Sequence, residues 1–221
     1  MLAKLLVTGI TIATTLAAAP VLGQSLNGSQ AIEEIQITST SRRSVGLADV
    51  NASVSVLSQD DLNLIKSSHY QEALNRLPGV TVHRNNGQES LMAIRSPVLT
   101  GAGACGSFLV AENGIPLRSQ GFCNVNEMFD AHTENAERIE VVRGPGSAFW
   151  GSNAVHGLIN VVLPKAGDAG EITLEQGPRG SQRIKGAYGN DYGKFKQLFL
   201  FNGQSEEGYR ADSGVDQQKL S

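Results

Sequence analysis

Polar and apolar residues alternate through much of the second half of this chain. Glu171-Ile-Thr-Leu-Glu175 alternates strictly, Arg183-Ile-Lys-Gly-Ala-Tyr188 more loosely, and Lys194 to Phe201 sets Phe195, Phe199 and Phe201 on one face. A period of two predicts strands, and Gly189-Asn-Asp-Tyr-Gly193 predicts the turn between the last two. Strands with one polar and one apolar face suit a soluble antiparallel sheet or the start of a transmembrane β-barrel, and the pattern leaves both open.

The preceding stretch mixes periods. Val54 to Leu57 predicts a short strand. Ser58 can cap a following helix, with Asp60 and Asp61 in its first turn and Leu62 and Ile65 facing inward. A second helix, from Tyr70 to Leu77, stops at Pro78-Gly79. Gly79 to His83 and Leu91 to Arg95 predict strands around the turn Arg84-Asn-Asn-Gly87. Phe108 to Ala111 and Ile115 to Arg118 flank Asn113-Gly114, a two-residue hairpin in which Glu112 faces Ile115. Residues 124–137 are loop or weak helix. Two apolar strands, Arg138 to Val142 and Leu158 to Leu163, close this part. The glycines and Pro145 between them predict a tight crossover, with Phe149 and Trp150 available to pack against the sheet.

Ahead of the compact part, residues 24–31 form a small, polar leader. Ile32-Glu33-Glu34-Ile35-Gln36-Ile37-Thr38 is β-prone and is followed by a polar run from Ser39 to Ser44. Spacing leaves two readings equal: the first strand of the domain, or a segment offered to another protein as an added strand.

Targeting narrows the compartment. Lys4, an apolar stretch from Leu5 to Ala19 and the small-residue site Val21-Leu-Gly23 predict an export signal over residues 1–23. Outside the cytoplasm, Cys105 and Cys123 point to a disulfide rather than a metal or redox site. The hairpin register sets Cys105 opposite Phe122 and Cys123 opposite Ala104, an offset that a loose base absorbs. Closing this loop would contribute about 3 kcal/mol in the chain-entropy model.

The net charge of −3 excludes an electrostatic footprint for nucleic acid. Gly101-Ala-Gly103-Ala-Cys-Gly106 matches a dinucleotide fingerprint by letter, but a strand and hairpin follow it where a helix is required. Gly144 to Gly157 has no Gly-Lys-Ser/Thr and runs from strand to strand. His69, His83, His132 and His156 are too scattered for a zinc site. No nucleophile–base spacing stands out, so the sequence suggests neither an enzyme nor a cofactor.

Several stretches together resemble the N-terminal part of TonB-dependent outer-membrane receptors. They are Leu77-Pro-Gly-Val80, the hairpin Leu109 to Leu117, and above all RIEVVRGPGSAFWGSNAVHGLINVV, Arg138 to Val162. Residues 32–38 resemble that family's TonB box. The resemblance covers everything after the signal. Departures are Ser96, Glu112-Asn113 and His156, the last expected to be a tolerated packing residue.

The resemblance implies a mixed α+β plug domain, with a small mixed sheet and short helices, over residues 45–165. It follows a leader at 24–44 and precedes the first antiparallel strands of an incomplete transmembrane β-barrel at 166–221. A barrel of about 22 strands at about ten residues each needs more than about 200 residues, so the chain would be a fragment or a truncated gene product. It further implies energy-coupled import of a ligand, with ferric siderophore the default cargo. TonB would bind at residues 32–38, the barrel would contact outer-membrane lipid, and ligand would meet Arg84, Asn85, Asn86, Gln88, Arg118, Ser119 and Gln120. The alternative is a periplasmic plug-only binding or signalling module without transport.

Overall fold

The computed structural model describes residues 35–84, 89–96, 108–117, 127–146, 148–151, 153–167 and 170–221. The strands are β1 (Gln36–Ile37), β2 (Val45–Gly46), β3 (Val54–Leu57), β4 (Val80–Arg84), β5 (Ser90–Ile94), β6 (Phe108–Glu112), β7 (Ile115–Pro116), β8 (Arg138–Arg143), β9 (Gly157–Val162), β10 (Gly170–Gln176), β11 (Gln182–Asp191), β12 (Lys196–Glu206) and β13 (Val215–Leu220). Short helices are α1 (Gln59–Ile65), α2 (Tyr70–Leu74) and α3 (Glu127–Asp130), with 3₁₀ turns at Leu47–Asp49 and Thr133–Asn135.

The central sheet has the order β3-β8-β9-β6-β7. β6 and β9 are parallel and the other pairs antiparallel, so the sheet is mixed. β8 and β9 are buried along almost their whole length, which is why they are near-continuous apolar runs rather than alternating ones. One face, carrying Val110, Ile139, Val141, Ile159 and Val161, packs with Leu57, Tyr70, Leu74, Val82, Met92 and Ile94. The opposite face carries Leu109, Ala111, Val142 and Leu158, covered by Trp150 and Ala154. Phe149, expected beside Trp150, is instead exposed.

Local chemistry accounts for most boundaries. Ser58 and Asp61 form a reciprocal capping box at the start of α1. Leu62 and Ile65 are the residues that α1 turns toward the core. α2 ends at Leu74, short of the expected Leu77, because Asn75 turns its side chain onto β4. Asn75 Oδ1 accepts from the Val82 amide at 2.6 Å and its Nδ2 donates to Val82 O at 3.1 Å. The Asn113–Gly114 hairpin has the expected register, Glu112 opposite Ile115, with positive φ at both turn residues (50° and 78°).

β10 to β13 form one antiparallel sheet in chain order. The turn expected at 189–193 lies further on, because β11 continues to Asp191. Asp191 Oδ1 accepts from the Gly193 amide at 2.8 Å and Asp191 pairs with Lys196 at 2.7 Å, which fixes the reversal at residues 192–195. Phe195 therefore sits in the turn, stacked on Tyr192 with ring centroids 4.8 Å apart, and does not join the face of Phe199. All described residues belong to one compact unit. Among them no helix is long and apolar enough to cross a membrane, which does not bear on strands.

Candidate functional site

Two polar residues interrupt the apolar run of the central strands. Glu140 on β8 and Asn160 on β9 are cross-strand partners, and both are 0 % exposed. Burying a carboxylate and an amide inside a sheet is costly unless each finds partners. The partners come from the segment before β2, from Arg138 on β8 itself and from the Asn113–Gly114 turn. Glu140 Oε2 accepts from the amides of Thr38 at 2.9 Å and Ser39 at 2.8 Å, and Oε1 accepts from Arg138 Nε at 2.9 Å. Asn160 Oδ1 accepts from the Gly114 amide at 2.9 Å, while its Nδ2 donates to Thr38 Oγ1 at 3.3 Å.

Residues 35–39 are thereby docked on the Trp150 face. β1 pairs with β2, Ile37 is fully buried, and Ser39 O accepts from Trp150 Nε1 at 2.6 Å. The Arg42 guanidinium lies over the Trp150 ring, 4.5 Å from its centroid. Ile35 stays half exposed and Gln36 exposed.

The second sheet has two unlike faces. Ile172, Leu174, Ile184, Tyr188 and Phe199 point away from the domain and are exposed. The other face carries Glu171, Thr173, Glu175, Arg183, Lys185, Asn202 and Gln204, and it meets the domain. A cleft of about 250 Å³ lies there, between α1, the 133–136 turn and β10–β11. Two ion pairs line it, Glu175 with Arg183 at 3.5 Å and Glu171 with Lys185 at 3.9 Å, together with Lys66 and Glu134. Among the described residues, no three His, Cys, Asp or Glu side chains gather as metal ligands.

This combination can be compared with known proteins. A profile of the TonB-dependent Receptor Plug Domain matches residues 46–158, more than half of the chain. The chain belongs to this family. Its members are receptors for transport, not enzymes. The whole arrangement, plug and following strands, is similar to solved structures. With the pyoverdine outer membrane receptor FpvA of Pseudomonas aeruginosa the TM-score is 0.61 at 16% identity, covering 79% of this chain and 25% of that one. With the alcaligin outer membrane receptor FauA of Bordetella pertussis it is 0.61 at 14%, covering 84% and 31%. With the siderophore receptor PiuA of Acinetobacter baumannii it is 0.54 at 25%, covering 80% and 24%. The chain thus spans about a quarter to a third of these structures.

Among the described residues, the side chains of four residues tie the plug to the second sheet by hydrogen bonds, beside the packing of Leu200 in the core cluster. Lys219 Nζ donates to Ala131 O and to Glu134 Oε1, both at 3.0 Å. Asn135 Nδ2 donates to Gly186 O at 2.9 Å, Arg183 Nη1 to Ser67 O at 2.7 Å, and Gln204 Nε2 to Ser68 O at 3.4 Å. None of these residues was singled out from the sequence, because each is an ordinary polar residue until the fold brings its partner close. Glu140 and Asn160 did leave a signal, as polar letters inside the runs RIEVVR and LINVV.

Of the expected site residues, Ile35 to Thr38 are in the docked segment, and Ile32, Glu33 and Glu34 lie outside the described residues. Arg84 is exposed at the end of β4, where the β4–β5 hairpin closes. Asn85, Asn86, Gln88, Arg118, Ser119, Gln120, the Cys105–Cys123 pair, the signal segment 1–23 and Gly101 to Gly106 lie outside the described residues. His156 is half buried in the crossover, its carbonyl accepting from the Gly144 amide at 2.8 Å.

Proposed function

We propose that this chain is the N-terminal part of a receptor for TonB-dependent, energy-coupled import of a ligand such as a ferric siderophore. Residues 1–23 would direct export, 24–44 would carry the TonB-binding segment 32–38, 45–165 would form the plug and 166–221 would open the barrel. The observation that carries the reading is the sheet β10–β13 running on from the plug, with charged and amide side chains toward the plug and Ile172, Leu174, Tyr188 and Phe199 away from it. A mostly polar inner face, on which Ala187, Leu198 and Leu200 pack against the plug core, and an apolar outer face form the arrangement of an outer-membrane barrel wall facing lipid. A plug-only periplasmic module would have no use for that outward face.

In this reading the plug faces the lumen and the periplasm. Ligand arrives from outside at the hairpin ends near Arg84, Asn85, Asn86 and Gln88 and near Arg118, Ser119 and Gln120. A disulfide between Cys105 and Cys123 would hold the second of these ends. TonB then adds a strand to residues 32–38 and transmits force that shifts the plug. The chain's residues supply binding and gating, with no covalent chemistry.

The test is uptake of a labelled ferric siderophore by cells whose receptor carries this chain joined to a complete barrel. Uptake is expected, and it should stop when the inner-membrane proton gradient is collapsed or when Ile37→Pro removes the strand at the TonB segment. Uptake that persists under both conditions would overturn the proposal.

A further inference from the structure

The hairpin β4–β5 carries Arg84 at its closing end and forms a two-stranded sheet of its own. Its side chains Val80, Val82, Met92 and Ile94 join the core, but the backbone along the outer edge of β4 has to find other partners. α2 supplies them. In the middle of β4, the Val82 amide donates to Asn75 Oδ1 at 2.6 Å. The Val82 carbonyl accepts from Gln71 Nε2 at 2.9 Å and from Asn75 Nδ2 at 3.1 Å. The Asn75 amide thus takes both backbone groups of Val82, as a neighbouring strand would. At the closing end, the Tyr70 and Ser90 hydroxyls, both buried, share a hydrogen bond, and Ser90 is the cross-strand partner of Arg84. Burial holds the Tyr70 phenol above its ordinary pKa, opposed by the Ser90 bond and the nearby Arg84 charge.

α2 is in turn held by the second sheet. Ser67 and Ser68 stand immediately before His69, the N-cap of α2. Ser67 O accepts from Arg183 Nη1 at 2.7 Å, and Ser68 O accepts from Gln204 Nε2 at 3.4 Å. Arg183 on β11 and Gln204 on β12 are cross-strand partners, so both bonds come from one row of that sheet. Ser68 also folds back onto the helix. Its amide donates to Glu72 Oε2 at 3.2 Å and its hydroxyl to Glu72 Oε1 at 3.1 Å, which joins the anchored turn to α2.

We propose that α2 is a bracket that sets the Arg84 end of the hairpin relative to β11 and β12, with Tyr70, Gln71, Asn75 and Arg183 as positioning residues for ligand recognition. The inference deepens the proposed function and rests on it for Arg84 as a ligand contact, whereas the bracket itself stands on these hydrogen bonds. A contact residue placed before the ligand arrives removes part of the ordering cost of binding. Loosening the bracket therefore weakens recognition without touching Arg84.

Two experiments test this. In the first, amide exchange is followed on the full chain in detergent micelles, as native protein and as Asn75→Ala and Tyr70→Phe. The Val82 amide should exchange roughly fivefold faster in Asn75→Ala, and those of Arg84 and Ser90 several-fold faster in Tyr70→Phe. Val141 and Ile159 in the central sheet should not change. Unchanged exchange in the hairpin, or quickening shared equally by Val141 and Ile159, would overturn the bracket.

The second experiment measures uptake of a radiolabelled ferric tris-hydroxamate, and separately of a ferric tris-catecholate. The cells express a receptor that carries this chain joined to a complete barrel. The half-saturating concentration should rise about fivefold in Asn75→Ala and in Arg183→Met, with the maximal rate unchanged. Glu175→Gln removes the ion pair with Arg183 but keeps the bond to Ser67 O, and should leave uptake as in the native receptor. Asn75→Ala combined with Arg183→Met should behave as Asn75→Ala alone, because a hairpin freed from α2 no longer depends on where α2 is held. Effects that multiply, an equal rise in Glu175→Gln, or a fall in maximal rate at unchanged half-saturation would overturn the link to the second sheet. Failure of the native receptor to take up either probe would instead overturn the proposed cargo, and the exchange data would still decide the bracket.

Discussion

Gly157 opens β9 where there is no space for a side chain. A Cβ there would lie 2.6 Å from Val142 O and 2.8 Å from Ile94 Cγ2. Both neighbours are in core strands that cannot move independently, so Gly157→Ala is expected to cost about 2–3 kcal/mol in urea unfolding. A loss under about 0.5 kcal/mol would mean that the sheet relaxes there. Glu112 gives a second residue-scale prediction. Its burial opposes ionisation, but the side-chain and backbone hydrogen bonds from His132 and the nearby Lys219 charge outweigh this and hold its carboxyl below the ordinary value. The unfolded chain therefore takes up this proton first as pH falls. The contribution is complete above the unfolded pKa and is lost as pH drops through the folded one. The stability difference between native protein and Glu112→Gln should be constant from pH 7 to about 5 and shrink below about 4. Thermal unfolding across that range measures it, and a difference that grows toward acid would contradict the assignment.

At the scale of elements, the capping box of α1 is the most local device. Ser58→Ala removes the acceptor of the Asp61 amide and should cost about 1 kcal/mol by chemical unfolding. The Ser58 cap was legible because a serine followed by Asp60 and Asp61 stands just before Leu62, whereas the return bond from Asp61 is seen only in the fold. The Asn113–Gly114 hairpin was legible for the same reason, since turn chemistry is written in two adjacent residues. The end of α2 was not, because Asn75 takes its partner from β4, seven residues away. The outward faces of β10 to β12 make a further prediction. Tyr188→Lys should weaken association with lipid vesicles by at least roughly tenfold, whereas Thr173→Lys on the inner face should leave it unchanged. Equal effects from both would remove the distinction between the faces.

For the whole molecule, Lys219 joins the last described strand to the plug. Its side chain and that of Glu134 are 9 % and 10 % exposed, so the pair is largely withdrawn from water. Lys219→Ala leaves Glu134 without this cation and should cost on the order of 3 kcal/mol in unfolding, with faster proteolytic cleavage around residues 131–136. Cleavage elsewhere in the plug should not change.

The sequence by itself determined the strands, the capped helix and the hairpin register, together with the family resemblance, because each is encoded by neighbours a few residues apart. It also made the glycines between β8 and β9 structural, since no helix follows them to hold a phosphate. Only the tertiary structure decided what the segment at 35–39 does when no partner is present. Its hold is built by Glu140, about a hundred positions along the chain, and by Trp150. The two readings of that segment, first strand of the domain and strand offered to a partner, were equal in the sequence. In the fold the first is realised over Gln36–Ile37, and the second has to compete with it for the same backbone groups.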